Sequence, residues 1–199
     1  MRTAHNRRSF LLGGVGMVAS PALAQTSDYA VFSEFSPESK KMQPGWNRRV
    51  FTTTEARKGN AIECDLATGV VTLAPGTWHL SGYSMVVYDD PATSAEMAPV
   101  RSPAAAGYCR LRTFDPAVAV DPANLIAIRN DDPTVLCVGS PSTANMTPSL
   151  FDAYYEARRS TQIVLEHQAG ASPDGIYLRI FRQGSSWHAF ARINIRRLG

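Results

Sequence analysis

Lysine is nearly missing from this chain of 199 residues. Of 20 basic side chains, only Lys40, Lys41 and Lys58 are lysine, and the rest are arginine. Arginine's planar fork favours fixed, multiply hydrogen-bonded pairs, so the charge here is set for ordered contacts rather than loose solvation. Histidine is scarce too, at four. No two histidines stand one residue apart with a carboxylate soon after, the pattern by which a small β-barrel gathers three ligands on one ion. Around His79 the chain reads GTWHLSG, with no acid nearby. Cys137 is followed by VGSPSTANM, which lacks the histidine that a cysteine-bound copper needs. Cys-x-x-Cys, Gly-x-Ser-x-Gly and Ser-x-x-Lys do not occur, which removes the common zinc and serine-nucleophile signatures. The loop Asn130-Asp-Asp-Pro-Thr134 lacks alternating oxygen ligands for calcium and reads as a turn. No catalytic residue and no cofactor is assigned. An enzyme or metalloprotein stays open as the rival reading, with His79, His167 and His188 as its available ligands.

Long apolar runs are also missing beyond residue 24, so no transmembrane segment is expected there. The one soft run, Leu11 to Leu23, contains three glycines and follows Asn6-Arg7-Arg8-Ser9-Phe10. At about 13 residues it is too short to span a bilayer, where a helix needs roughly 20. It closes on Ala22-Leu23-Ala24, small residues at the positions a signal peptidase reads. Residues 1–24 therefore read as a twin-arginine signal cleaved before Gln25, and the product as a periplasmic or secreted protein. Arg2, Arg7 and Arg8 leave with it, so 20 minus 3 gives 17 basic residues against 17 acidic ones in the mature part. The basic balance belongs to the targeting segment, and nucleic acid is not an expected partner.

Cys64, Cys109 and Cys137 make an odd set for an oxidising compartment. One disulfide of unspecified pairing and three buried free thiols are both open. Cys64 alternates with Ile62 and Leu66, and Cys109 with Leu111, which points both towards a core.

Residues 25–45 are polar, with Tyr29, Phe32 and Phe35 as punctuation, and read as an N-terminal arm or linker with one short strand. Residues 46–199 read as one domain of short strands: 48–54, 61–66, 70–73, 77–88, 108–114, 125–129, 135–138, 151–159, 162–168, 176–181 and 187–197. Turns such as Pro75-Gly76 separate them. Only 149–163 competes as a helix, through the spacing of Phe151, Tyr154, Tyr155 and Arg158, and it is kept as strand. The pattern is all-β, a sandwich or barrel. Residues 89–107 and 130–148 form long loops, which in a compact domain usually carry function. Several strands are apolar on both faces, so a sheet needs something packed outside it, and a second subunit is the simplest cover. Trp78 and Trp187 read as core. Arg192 and Arg196 read as ion-pair partners for Glu156 or Glu166.

The segment VTLAPGTWHLSGYSMV, Val71 to Val86, resembles the strand, Pro-Gly turn and aromatic strand of the C1q/TNF-like jelly roll. VLEHQ from Val164, GIYLRI from Gly175 and SWHAFARINIRRL from Ser186 are similar to the end of such domains, most closely in bacterial proteins and phage tail or fibre tips. The resemblance implies a two-sheet jelly-roll sandwich that assembles as a homotrimer and binds rather than catalyses. It implies that His79, Glu166 and His188 lie on an inner, trimer-facing sheet. With the apolar outer faces, it suggests an interface through Tyr83, Met85, Phe190 and Arg192. The expected function is an exported, non-enzymatic binding or structural module recognising a surface glycan or an envelope protein through loops 89–107 and 130–148. Replacing Arg7-Arg8 by Lys-Lys removes the recognition pair and should block export, as followed by fractionation and immunoblotting; unimpaired export would sink the targeting assignment.

Overall fold

The computed structural model describes residues 27–88 (backbone alone at Tyr88), 107–115, 133–142, 147–169, 175–181 and 188–198. The signal segment, Trp187, the strand expected at 125–129, nearly all of loop 89–107 and part of loop 130–148 lie outside these residues. The chain enters as β1 (Tyr29–Glu34), followed by the short β2 (Lys40–Lys41) and β3 (Asn47–Arg48) and by β4 (Thr53–Lys58). A hairpin of β5 (Ile62–Asp65) and β6 (Val70–Leu73) leads into β7 (Gly76–Ser84) and β8 (Val87–Tyr88). Then come β9 (Gly107–Thr113), β10 (Val135–Val138), β11 (Ser149–Ala157), β12 (Thr161–Ala169), β13 (Ile176–Arg179) and β14 (Ala191–Arg197). Among the described residues there is no helix, hence none long and apolar enough to cross a membrane.

Two antiparallel sheets carry the domain. The first runs β11-β7-β14-β1-β4; the second runs β10-β9-β12-β6-β5, with β3 also paired to β12. A third, small sheet, β2-β13-β8, lies beside them. The connections β6 to β7, β7 to β9, β10 to β11, β11 to β12 and β12 to β14 all pass from one main sheet to the other. That is the jelly-roll sandwich expected from the sequence.

Alternation along each strand builds the core, because successive side chains point to opposite faces. Phe32, Trp78, Leu80, Phe151, Ile193 and Ile195 on the first sheet meet Ile62, Leu73, Leu111, Ile163 and Leu165 on the second. Truncating a side chain as enclosed as Trp78 costs about 3–5 kcal/mol in such a setting. Gly82 has to be glycine: its φ is +158°, and a Cβ there would stand 2.0 Å from the Arg192 carbonyl oxygen and 2.9 Å from the Phe151 ring. The β5–β6 turn is held by Asp65, whose carboxylate accepts from the Ala67 amide and the Thr68 hydroxyl. Gly69 completes it at φ +74°.

Segment 149–163 is strand, turn and strand, β11 and then β12. Strand 77–88 is divided. After Ser84 the chain leaves the first sheet, and Val86 packs with Met42, Ile176 and Leu178 in a second apolar cluster. The polar segment 25–45 supplies β1, which lies between β14 and β4, and β2 of the third sheet. Its polarity hides an internal strand because Ser33, Glu34 and Ser36 are buried with partners.

Candidate functional site

Glu34 closes β1 with its side chain fully buried, and two arginines converge on it. Arg49 Nε stands 2.7 Å from one carboxylate oxygen, a charge contact out of line for a hydrogen bond. Arg179 Nη1 donates to the other oxygen at 2.8 Å. Arg49 Nη1 donates to the carbonyls of Leu178 and Met85, at 3.0 and 3.3 Å. Arg179 also reaches Glu38, donating from Nε to the carbonyl at 3.1 Å and from Nη2 to the carboxylate at 3.2 Å. Burial lowers the Arg49 pKa and Glu34 raises it back in part. The second buried polar group of this region is His167 on β12, with Ser84 Oγ 2.9 Å from Nδ1 and Ser142 Oγ 3.4 Å from Nε2. Burial first, and then the Arg49 charge, push its pKa down to about 3.

The outward face of the first sheet is laid out by strand register. One row reads Leu150, Tyr83, Arg192 and Ser33 across β11, β7, β14 and β1. Another reads Tyr154, His79, Arg196 and Tyr29. Leu150 is 56% exposed, Tyr154 72% and Tyr29 41%. His79 stacks on Tyr154 at 4.9 Å between ring centroids and meets Asp152 at 2.9 Å. Arg192 pairs with Glu55 on β4 at 3.0 Å, not with Glu156 or Glu166, because β1 and β4 complete the sheet on its side. Of the expected interface residues, Tyr83 and Met85 are half-buried and Arg192 lies on this face. Phe190 is corrected: it precedes β14, its amide donates to the Glu34 carbonyl, and it is 3% exposed. The outward alternation of β14 does not extend back to it.

The outward face of the second sheet carries a different chemistry. Tyr108, Arg110, Arg112 and Phe114 alternate with the core residues Cys109 and Leu111 along β9 and just beyond it. Arg48, Glu166 and Arg110 stand opposite one another on β3, β12 and β9. Glu166 Oε2 accepts from Arg110 Nε at 2.8 Å and Arg112 Nε at 2.9 Å, while Oε1 accepts from Arg112 Nη2 at 2.9 Å. Arg110 lies 4.0 Å above the Trp46 ring, which meets Tyr108 edge-on at 5.5 Å. Arg48 lies 4.2 Å above Phe114. Sequence reading singled out neither Trp46 nor these arginines, although the period-two pattern of YCRLRTF signals them.

The three histidines do not converge. His79 is on the first sheet's outer face, His167 is in the core and His188 is exposed. Nor do His79, Glu166 and His188 share a sheet: His79 belongs to the first and Glu166 to the second. No group of three or more metal-ligating side chains occurs among the described residues. All three cysteines are free thiols. Burial pushes Cys64 up to about 12 and Cys137 to about 11, and raises Cys109, which keeps them protonated and poorly nucleophilic.

No protein-family profile matches the chain, and no characterised protein matches its sequence. Among solved structures it is similar to crystal structures of murine APRIL. The one at pH 8.0 is 10% identical, with a TM-score of 0.49 over 86% of this chain and 99% of that one. The one at pH 5.0 is 9% identical, with a TM-score of 0.48 over the same shares.

His167 gives the fold an acid limit. Its folded pKa lies below the ordinary value of 6.5, so the neutral ring stabilises the fold fully above that value. This stability is lost as pH falls from 6.5 towards 3, at up to about 1.4 kcal/mol per pH unit. Denaturant unfolding of the wild type should weaken with that added slope, and His167→Gln should remove it. Equal slopes in both proteins would contradict the assignment.

Proposed function

We propose that this chain is an exported, non-enzymatic binding or structural module, periplasmic or secreted, that assembles as a homotrimer and recognises a surface glycan or an envelope protein. The observation that carries the assembly is the first sheet's outer face, where Leu150, Tyr154 and Tyr29 are exposed beside Tyr83. Large apolar and aromatic side chains gathered on one rigid sheet face mark an association surface rather than scattered surface residues. The histidine–carboxylate pair beside them, His79 and Asp152, and the Arg192–Glu55 pair give the same surface polar contacts able to fix register between copies. Threefold closure is drawn from the resemblance of residues 71–86 and 164–198 to the C1q/TNF-like domain. A closed symmetric assembly leaves no open edge for growth, which suits an isolated module.

Light scattering of the mature protein at micromolar concentration should give three times the protomer mass. Tyr154→Glu places a charge on the most exposed ring of the proposed contact and should yield folded monomer at the same concentration. A monomeric wild type, or a Tyr154→Glu trimer as stable as the wild type, would contradict the reading.

A further inference from the structure

We infer that the outward face of the second sheet is a recognition site for a carboxylate-bearing polysaccharide, a polyuronate. The inference rests on the reading of the chain as a binding module but not on its trimeric state. The two main sheets are layers of one sandwich, so this face is the opposite one from the proposed assembly surface.

The first argument is charge. Two guanidiniums, Arg110 and Arg112, bind one carboxylate, Glu166, and Arg48 stands opposite it on β3, so among these four described residues positive charge exceeds negative by two. Arg110, Arg112 and Glu166 are nearly enclosed, at 7%, 6% and 3% exposure. A purely structural cluster gains nothing from that excess, because like charges held together in partly desolvated ground repel. Among the described residues, Arg48 has no carboxylate within salt-bridge distance. It is held over Phe114 instead, half-exposed, with its fork uncommitted. Desolvation lowers its pKa, Glu166 raises it back in part and Arg112 lowers it again, so a further anion beside Arg48 would add to the support that Glu166 gives.

The second argument is shape. Glu166 already shows the local geometry binding a planar carboxylate with two guanidinium groups, one of them through both Nε and Nη2. That fork matches a carboxylate better than a point cation would. The charges are bracketed by rings, with Tyr108 and Trp46 at one end and Phe114 at the other. Alternate residues along a strand are about 6.6–6.8 Å apart, so the row Tyr108, Arg110, Arg112 and Phe114 spans about 20 Å, with two charges set between two rings. A polymer with a carboxylate on each ring unit meets such a row repeatedly, and its flat apolar faces lie against the aromatic rings. An acidic peptide is disfavoured because β9 and β12 are interior strands, and a face without an open edge offers peptide backbone no partners.

Titration calorimetry of the full mature protein at low ionic strength tests this, using polygalacturonate as the probe and dextran and polyglutamate as comparators. Polygalacturonate should bind, with affinity falling as salt is added, dextran should not bind, and polyglutamate should bind at least about tenfold more weakly. Arg48→Gln should weaken polygalacturonate binding about tenfold or more, and Arg48→Lys, which keeps charge and stem but loses the fork, should also weaken it. Neither variant breaks an ion pair of the described residues, and unchanged unfolding midpoints would confirm intact folds. The site is overturned by no binding at low salt, by unchanged affinity in both variants, or by equal binding of polyglutamate, which would reassign the face to an acidic protein. Light scattering on the same samples reports assembly separately, so an intact trimer without binding removes this site alone.

Discussion

A single buried carboxylate, Glu34, governs how this molecule is put together. Its two arginine partners come from places far apart in the chain: Arg49 follows β3, and Arg179 ends β13 in the small third sheet. The ion cluster therefore ties the first sheet to the elements that carry the second apolar cluster of Met42, Val86, Ile176 and Leu178. Arg49 adds hydrogen bonds to the carbonyl of Leu178, a member of that cluster, and to that of Met85, the neighbour of Val86. Bringing these charges out of water costs several kcal/mol per ion, so the cluster is tolerable only when all members are in place. A buried cluster of this kind is weak evidence for net stability, and what it shows is which elements it joins.

The sandwich then divides its outer surfaces by chemistry. One face is aromatic and aliphatic at Leu150, Tyr154 and Tyr29, the other cationic and aromatic at Arg48, Arg110, Trp46 and Phe114. Strand alternation makes this possible with short sequences, since every second residue is free of the core. The near-absence of lysine fits the second face, where planar guanidiniums stack on rings and grip a carboxylate through their forks. His167 sits between the two layers as a neutral hydrogen-bonding group, so the interior resists protonation at the same place where Arg49 holds its positive charge.

Much of the fold was legible because its strands follow period-two alternation and its turns carry Gly, Pro and Asp. Segment 149–163 was read as strand despite its helix-like spacing, and in β11 Phe151, Ala153 and Tyr155 are set inward beside Trp78 and Leu80 of β7. What stayed hidden depends on long-range pairing. Nothing local marks Glu34 as buried, because its partner Arg179 lies 145 residues away. The same reason misplaced the partner of Arg192, which is Glu55 across β1. Phe190 was misread because alternation was extended past the true start of β14. The arginine-aromatic face was visible as a spacing along β9, but its meaning required β3 and β12 to arrive beside it.

The most direct test of the buried-cluster account is a pair of unfolding measurements. Glu34→Gln leaves two buried arginines without their counter-charge and should lower stability by about 3–5 kcal/mol. Replacing Glu34, Arg49 and Arg179 together by Met, Leu and Leu should leave stability near or above that of the wild type. A Glu34→Gln protein within about 1 kcal/mol of the wild type would contradict the claim that this carboxylate holds the three sheets in register.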